Sequence, residues 1–533
     1  MSIVSSLNIA RQALSVNQMA ITVVSNNIAN VDTDGYSKLK VSLGSVVNTY
    51  NSAGDSATIE ANSLSGVEIL KIKRYSDFYL QSTYWDKNST YSYYNTYSTI
   101  ASNIEDMVNE LNDTGLSSAL SDFYDAASAL SNDADNLTLR QNYVSAAENV
   151  CSIFNSIHSS LTSQQEALVG TSSDVSSSDI AANVNNLNDL LDQLAQVNDS
   201  IITTNYSDGS SSSALLDQRD SLVSQITSLV NVDAKENANG TITISIGNKN
   251  LVDGAHVKNY LSVANEDNTA TADTSDFITK LSIKDAKTGV KTDITDELTG
   301  GSIKAILDVC GTADSNNLTI NSLLSDLNDM ASAFAGVMNE IQTGSSIDSS
   351  GNTVYAMCLT SDGSALQSSA DYEMFVSKDG SSTITAGNIA VSSDIINNPY
   401  YVAAARTTGT DDGTTITPTD PTAVGNSSNM TKIIAVRTDS SYYAGTALEG
   451  TTLEGALTRT VTGVGSDVSN LEGRLTTSAS VLTETESNLN SIRGVNLDEE
   501  LSDLIIYQRA YQAAARIFST CNELLEELVN LGK

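Results

Sequence analysis

Hydrophobic periodicity at the two ends of this 533-residue chain constrains its fold more than any other feature. Near the N-terminus, Ile3, Leu7, Ala10, Leu14, Ile21, Val24, Ile28 and Val31 recur in steps of three and four, with Asn17 as the interruption. Such a seam over about four heptads predicts a long helix that pairs with another helix. It stops at Asp32-Thr33-Asp34-Gly35, where Gly supplies positive φ and Asp favours a turn. At the C-terminus, Leu501, Leu504, Tyr511, Ala515, Phe518, Leu525 and Val529 share one seam, with Gln508 and Asn522 as its polar members. A second seam, Val464, Val468, Leu471, Leu475, Leu482, Leu489 and Ile492, precedes it. Arg493-Gly494-Val495-Asn496 separates the two, so we expect two long helices with Gly494 at a C-cap and Asn496 at an N-cap. Asp498, Glu499 and Glu500 then fall in the first turn, where acids complement the helix dipole.

Helical periodicity continues from Trp85 to about Val230, beginning with Tyr93, Tyr97, Ile100, Ile104, Met107 and Leu111, and returns from Ile320 to Ile341. Between about 232 and 300 the pattern changes. Asn239-Gly240 before Thr241-Ile242-Thr243-Ile244-Ser245-Ile246 signals a hairpin, and Lys287-Thr288-Gly289 a second turn. A loop-rich, β-prone stretch from about 346 to 440 holds all three prolines, Pro399, Pro418 and Pro421. The expected fold is mainly α with β insertions, an α+β multidomain chain. Residues 1–35 with 495–533 form a terminal helical coiled coil. Residues 36–231 with 301–345 and 441–494 form an elongated helical-bundle body. Residues 232–300 and 346–440 are outer β insertions.

Composition narrows the function. A net charge of −37 disfavours nucleic acid and anionic membrane surfaces, which need clustered Lys and Arg. No apolar run approaches the ~18 residues of a membrane span. Met1 to Leu14 lacks a basic region followed by an apolar one, so no cleaved signal peptide is expected and the default address is cytoplasmic. Cys151, Cys310, Cys358 and Cys521 are scattered singly and read as buried thiols. His158 and His256 have no ligand-like neighbours, which speaks against a zinc or iron site and against a Ser-His-Asp triad. Asn30-x-Asp32-x-Asp34-Gly35 opens like a calcium loop, but Val41 stands where the twelfth-position acid belongs, so we read a helix-terminating turn. Asp133-x-Asp135-Asn136 reads as a solvated inter-helix turn, and Gly463-x-Gly465 lacks the third glycine and preceding strand of a dinucleotide site. No catalysis, metal or cofactor is expected.

Two terminal segments carry a resemblance. Ser25-Asn26-Asn27-Ile28-Ala29-Asn30-Val31-x-Thr33-x-Gly35-Tyr36-Ser37 resembles the N-terminal signature of the bacterial flagellar rod, hook and hook-associated proteins, although Asp34 stands where that turn often has Pro. Gly494-Val495-Asn496-Leu497-Asp498-Glu499-Glu500 and Tyr507-Gln508-x-Ala510-Tyr511-x-Ala513-x-Ala515-Arg516 resemble its C-terminal signature, most closely that of the hook–filament junction members. Leu215-Leu216-Asp217-Gln218-Arg219-Asp220-x-Leu222-Val223 resembles an internal motif of those members, and Tyr401-Val402-Ala403-Ala404-Ala405 does so more loosely. The resemblance covers roughly residues 1–75, 85–230 and 464–533.

The resemblance implies a structural part of the flagellum, an adaptor ring joining hook to filament and needed for filament assembly and motility. It implies an extracellular address at the junction, with export through the type III apparatus and no cleaved signal peptide, which overturns the cytoplasmic default. Implied partners are further copies of the chain in the axial lattice, the hook protein, the second junction protein, and an export chaperone covering the C-terminal helix. The implied assembly interface comprises Ile3, Leu7, Leu14, Ile21, Val24, Asn26, Asn27, Ile28, Asn30, Gly35 and Tyr36 of the first helix and its motif. From the last helix it comprises Val495, Leu497, Leu501, Leu504, Tyr511, Ala515, Phe518 and Leu525. The alternatives are another axial role, as second junction protein or hook protein, and a secreted adhesin resting on the β insertions.

Overall fold

The computed structural model describes residues 3–45, 66–108, 115–208, 212–267, 277–311, 318–413 and 415–531; Leu111 lies outside these. The N-terminal seam forms α1 (Ile3–Ala29) and ends in a turn in which Gly35 takes φ 79°. Strands β1 (Leu39–Ser45) and β2 (Val67–Arg74) then pair antiparallel, Leu39 opposite Arg74. Five helices follow: α2 (Phe78–Val108), α3 (Leu116–Asn132), α4 (Leu137–Val169), α5 (Asp179–Asp208) and α6 (Ser213–Leu229). Asn136 caps α4 by accepting from the Thr138 and Leu139 amides, so the Asp133–Asn136 cluster is a capping turn.

The first β insertion holds two small antiparallel sheets. One runs β3 (Asp233–Glu236), β4 (Ile242–Ile246), β5 (Lys249–Asp253), β6 (His256–Val257), with Asn239-Gly240 in the β3–β4 turn. The other runs β7 (Asn259–Asp267), β8 (Phe277–Asp285), β9 (Lys291–Asp293), and Gly289 takes φ 70° in its β8–β9 turn. Ile242, Ile244 and Ile246 alternate inward and are buried with Leu187, Leu191 and Leu194 of α5 in one large core. Helices α7 (Ser302–Val309) and α8 (Ile320–Thr343) return to the body.

The second insertion is built on β10 (Ser345–Ile347), β11 (Thr353–Leu359), β12 (Leu366–Ser368), a β13 (Phe375–Ser377) and β14 (Ile389–Val391) pair, a short α9 (Ser393–Asn397), β15 (Ala405–Asp411) and β16 (Ile416–Pro418). Its last part, α10 (Ser428–Val436), differs from the loop-rich expectation. Met430, Ile433 and Val436 recur at helical spacing and bury into a second core with Phe123, Phe154 and Phe334. Arg140 is buried beside it with no carboxylate partner among the described residues, donating to the carbonyls of Ala134 (2.7 Å), Tyr400 (3.2 Å) and Val402 (2.7 Å). Those bonds dock the Tyr401–Ala405 segment onto α4.

Two long helices close the chain. Helix α11 (Leu453–Arg493) packs along α2, its Arg474 reaching Tyr94 and its Arg493 reaching Gln81, so the two run antiparallel. Helix α12 (Leu497–Leu531) follows after three residues. Gly494 is the C-cap of α11, and a Cβ there would collide with the Asn490 carbonyl. Asn496 caps α12 by accepting from the amides of Asp498 (3.0 Å) and Glu499 (3.4 Å).

The β1–β2 hairpin is the largest departure from the expected division of the chain. Residues 36–75 fall in the 36–231 span expected for the helical body, yet Leu39, Val41, Ile69 and Ile72 pack on Ala20 and Val23 of α1 and on Tyr507 of α12. The hairpin is a wedge between the terminal helices and the body.

Candidate assembly site: the terminal helix pair and its joint

The pair is held at one end by a single amide. Asn27, fully buried, donates to the Leu39 carbonyl (2.8 Å) and to Glu500 Oε2 (2.9 Å). Its oxygen accepts from the Tyr36 hydroxyl (2.8 Å) and the Leu39 N–H (3.0 Å). A primary amide has two donor hydrogens and two acceptor lone pairs, and all four are used here. Asn27 thereby ties the end of α1 to β1, to the turn after Gly35 and to the first turn of α12. Because the end of α1 meets the start of α12, the two helices run antiparallel over roughly 40 Å, the length of α1 at ~1.5 Å per residue.

The joint continues into the body. Lys38 donates its N–H to the Arg493 carbonyl (2.8 Å), accepts from the Tyr75 N–H (2.9 Å), and pairs its ammonium with Glu499 (3.2 Å). Burial, with the Asp217 and Glu500 carboxylates nearby, pushes the Tyr36 hydroxyl up to about 12, so it remains a neutral donor. Asp217 belongs to the internal motif on α6. Arg74, at the end of β2, donates through Nε (2.9 Å) and Nη2 (2.7 Å) to Asp217 and through Nη2 to Asp220 (2.8 Å). Asp220 also accepts from Arg219 (2.7 Å), and Arg219 reaches on to Glu236 of β3 (2.8 Å) and the Gly240 carbonyl.

Two polar groups therefore meet at the joint: Asn27 with Tyr36, Leu39 and Glu500, and Arg74 with Asp217 and Asp220 of α6, from which Arg219 leads into the first β insertion; the Asp217 charge acts on Tyr36 across the gap between them. Burial raises the Glu500 and Asp217 carboxyls; for Asp217 this outweighs the lowering effect of Arg74.

The residues expected at the interface divide by face. In α1, Val24 and Asn27 are buried, Ile3, Leu7, Leu14, Ile21, Ile28 and Asn30 are half-buried, and Asn26 is exposed. The most buried stripe of α1 is instead Val16, Ala20, Val23 and Asn27, because the hairpin covers that side as well as α12. Gly35, Tyr36 and Val495 are half-buried at the joint. In α12, Leu504, Ala515, Phe518 and Leu525 are half-buried, along with buried Glu500, Ala514 and Cys521, on the side that meets α1. Leu497, Leu501 and Tyr511 are exposed.

Arg74 and the hairpin itself escaped the sequence reading, whereas Arg219 stood in the Leu215–Val223 motif with no role attached. The alternation Leu39-Lys40-Val41-Ser42-Leu43 was a usable signal for β1. Nothing local marks Arg74, whose partners lie 143 and 146 residues away.

Among the described residues no group of three or more His, Cys, Asp and Glu could hold a metal, and no helix is long and apolar enough to cross a membrane. All four cysteines are free and buried, and burial pushes the Cys151 and Cys310 thiols up to about 12, far from a reactive thiolate.

The geometry can be set beside known proteins. The family model of the flagellar hook-associated protein FlgK helical domain matches residues 101–357. The model of the flagellar basal body rod FlgEFG protein C-terminal region matches 490–531, and that of the flagella basal body rod protein matches 7–36. Flagellar hook-associated protein 1 of Bacillus subtilis is 27% identical, covering 98% of this chain and 97% of its own length. Its counterpart in Escherichia coli is 25% identical over 99% and 100%. The solved structure of the flagellar hook junction protein FlgK from Burkholderia pseudomallei shares the fold, with a TM-score of 0.56 at 14% identity, over 77% of this chain and all of that one.

Proposed function

We infer the working role of this chain from one premise: it belongs to the flagellar hook-associated protein 1 family and is a structural component of the hook–filament junction. In that role it is an adaptor, seated in the axial structure between hook and filament and needed before filament subunits can add. The observation that carries the reading is the terminal helix pair. It is built from segments more than 460 residues apart, pinned by Asn27 to Glu500, and still leaves much of its apolar surface uncovered. A helix pair with uncovered apolar flanks has more to gain by packing in a polymer than by remaining single.

The finer assignment follows from the same pair. The α1–α12 pair makes the contacts between subunits, the helical body holds the lattice, and the β insertions face outward. The neighbours are copies of the chain in a ring, the hook protein on one side and the second junction protein on the other. The chain leaves the cell through the type III export apparatus, its C-terminal helix covered beforehand by a chaperone. The role is structural, with no reaction catalysed.

A deletion strain tests this. Loss of the protein leaves hooks of normal length, while filament subunits escape into the medium and motility is lost. Restoring the chain restores both. Absent or truncated hooks in that strain would instead assign the protein to the hook or rod.

A further inference from the structure

Two cations and one hydroxyl converge where the second insertion joins the body, away from the terminal helices. Ser346 of β10 lies opposite Val354 of β11, and Val354 lies opposite Thr408 of β15. Side chains alternate along a strand, so Arg406, two residues before Thr408, emerges on the same face as Ser346. Asn429 and Lys432 stand three apart on α10 and share one side of that helix. Arg406 is 8% exposed and donates through Nε to Asn429 Oδ1 (3.0 Å), through Nη2 to the Ile341 carbonyl (3.1 Å) and through Nη1 to Ser346 Oγ (3.0 Å). Lys432 Nζ donates to the same Oγ (2.8 Å). Every one of these acceptors is neutral. The Ile341 carbonyl lies in the last turn of α8, where a cation suits the helix dipole, which accounts for Arg406 in part. It does not account for Lys432.

Two cations that share one neutral oxygen repel, and neither forms an ion pair with a carboxylate among the described residues. In a chain where 64 acidic side chains outnumber 27 basic ones this is unusual: Arg74, Arg219 and Arg437 each hold a carboxylate. Exposed Glu340 at the end of α8 and half-buried Tyr442 act on the cluster only from further off. Burial lowers both cations from their ordinary values, and the Arg406 charge lowers Lys432 further. Donors remain to spare, since these bonds use three of the five guanidinium N–H groups and one of the three on the ammonium. Ser346 and Lys432 are half-buried, so the cluster opens to solvent. We propose that Arg406, Lys432 and Ser346 form a binding site for a phosphate group. A phosphate carries up to about two negative charges and directs acceptor oxygens several ways, which suits donors arriving from a strand and a helix. A carboxylate offers two oxygens in one plane. Bound there, the phosphate gives both cations the counter-charge they lack and ties β10, β15 and α10 together. The chemistry recognised is the oxyanion itself, carried as free phosphate or as a phosphomonoester on a larger molecule.

Thermal melting of the full-length chain tests the site. Phosphate salts also stabilise folded proteins without binding, so the readout is the difference between the native chain and Lys432→Gln. When inorganic phosphate replaces chloride at fixed ionic strength, the native melting temperature should rise by about 2 °C or more beyond the rise in Lys432→Gln, and the excess should saturate. Acetate should produce no such excess. Ser346→Asp supplies an internal carboxylate, so it should melt above the native chain in chloride and lose the phosphate excess. Glycerol 3-phosphate separates the two sources. An excess as large as that from phosphate means the site accepts a phosphomonoester, and an excess from phosphate alone means it holds the free anion. Equal rises in the native chain and Lys432→Gln, or the same excess with acetate, would overturn the site. Neither result touches the junction role, which the deletion strain tests separately.

Discussion

Asn27 and Arg74 show how much of the joint depends on single side chains with no partner to spare. Arg74 is the counter-charge to two carboxylates, Asp217 and Asp220, which are 16% and 6% exposed. Removing it leaves Asp217 with no cation among the described residues and Asp220 with Arg219 alone. Arg74→Met should therefore cost about 3–5 kcal/mol of stability, read as a lower midpoint in denaturant. Arg74→Met combined with Asp217→Asn should recover part of the loss; an unaltered midpoint in the single variant would mean the pairs contribute nothing. Glu500 gives a pH signature. Burial raises its folded-state carboxyl above the ordinary glutamate value, so the native state holds that proton more tightly than the unfolded chain. Stability from this group is present below ~4.3 and declines as pH rises through the raised value. Glu500→Gln keeps an acceptor for the Asn27 amide and removes the titration. Its stability should fall less steeply over that window than the native protein's, measured by thermal melting at a series of pH values. The identity of Asn27 as a motif residue was legible in the sequence. Its role was not, because Leu39, Tyr36 and Glu500 converge on it only when the hairpin and both helices are in place.

At the scale of elements, the last helix is the informative one. Periodicity located it correctly between Asn496 and the C-terminus, since caps and acids in the first turn are local signals. Periodicity could not say which apolar positions α1 would take. Leu504 and Phe518 turn toward α1, while Leu501 stays 46% exposed. A charge at each position should have a different consequence. Leu501→Asp should leave thermal stability within about 0.5 kcal/mol of the native protein, because the side chain is exposed, yet prevent filament attachment if the proposed contact between subunits uses this surface. Leu504→Asp should cost stability as well, since it places a charge in the α1–α12 seam. Equal melting temperatures for the two variants would show that the seam division is wrong. The hairpin β1–β2 illustrates the opposite case. Its alternation is short and broken by a bulge between Ser42 and Leu43, so its pattern is weak beside two long helices.

Across the whole molecule, strand-forming insertions interrupt a helical body whose two ends return to one another. The two large cores explain why this is stable. One buries the first β insertion against α5, and the other buries α10 and the β13–β14 pair against α3, α4 and α8. Neither insertion hangs free, which is why the internal motif on α6 makes contact with both the hairpin and β3. The acidity of the chain is spent on turns and solvated faces, where Asp285, Asp362 and Asp379 cap loops and hold their carboxyls below the usual range. By itself the sequence determined the long terminal helices, their caps, the β-prone insertions and the resemblance carried by the two terminal motifs, because each of these is written in local spacing or in contiguous motifs. Only the tertiary structure decided which face of each terminal helix is already occupied, that a hairpin wedges beneath them, and that Asn27 and Arg74 join three distant segments. Those outcomes depend on contacts between residues hundreds of positions apart, and no local pattern records the geometry that brings them within a hydrogen bond.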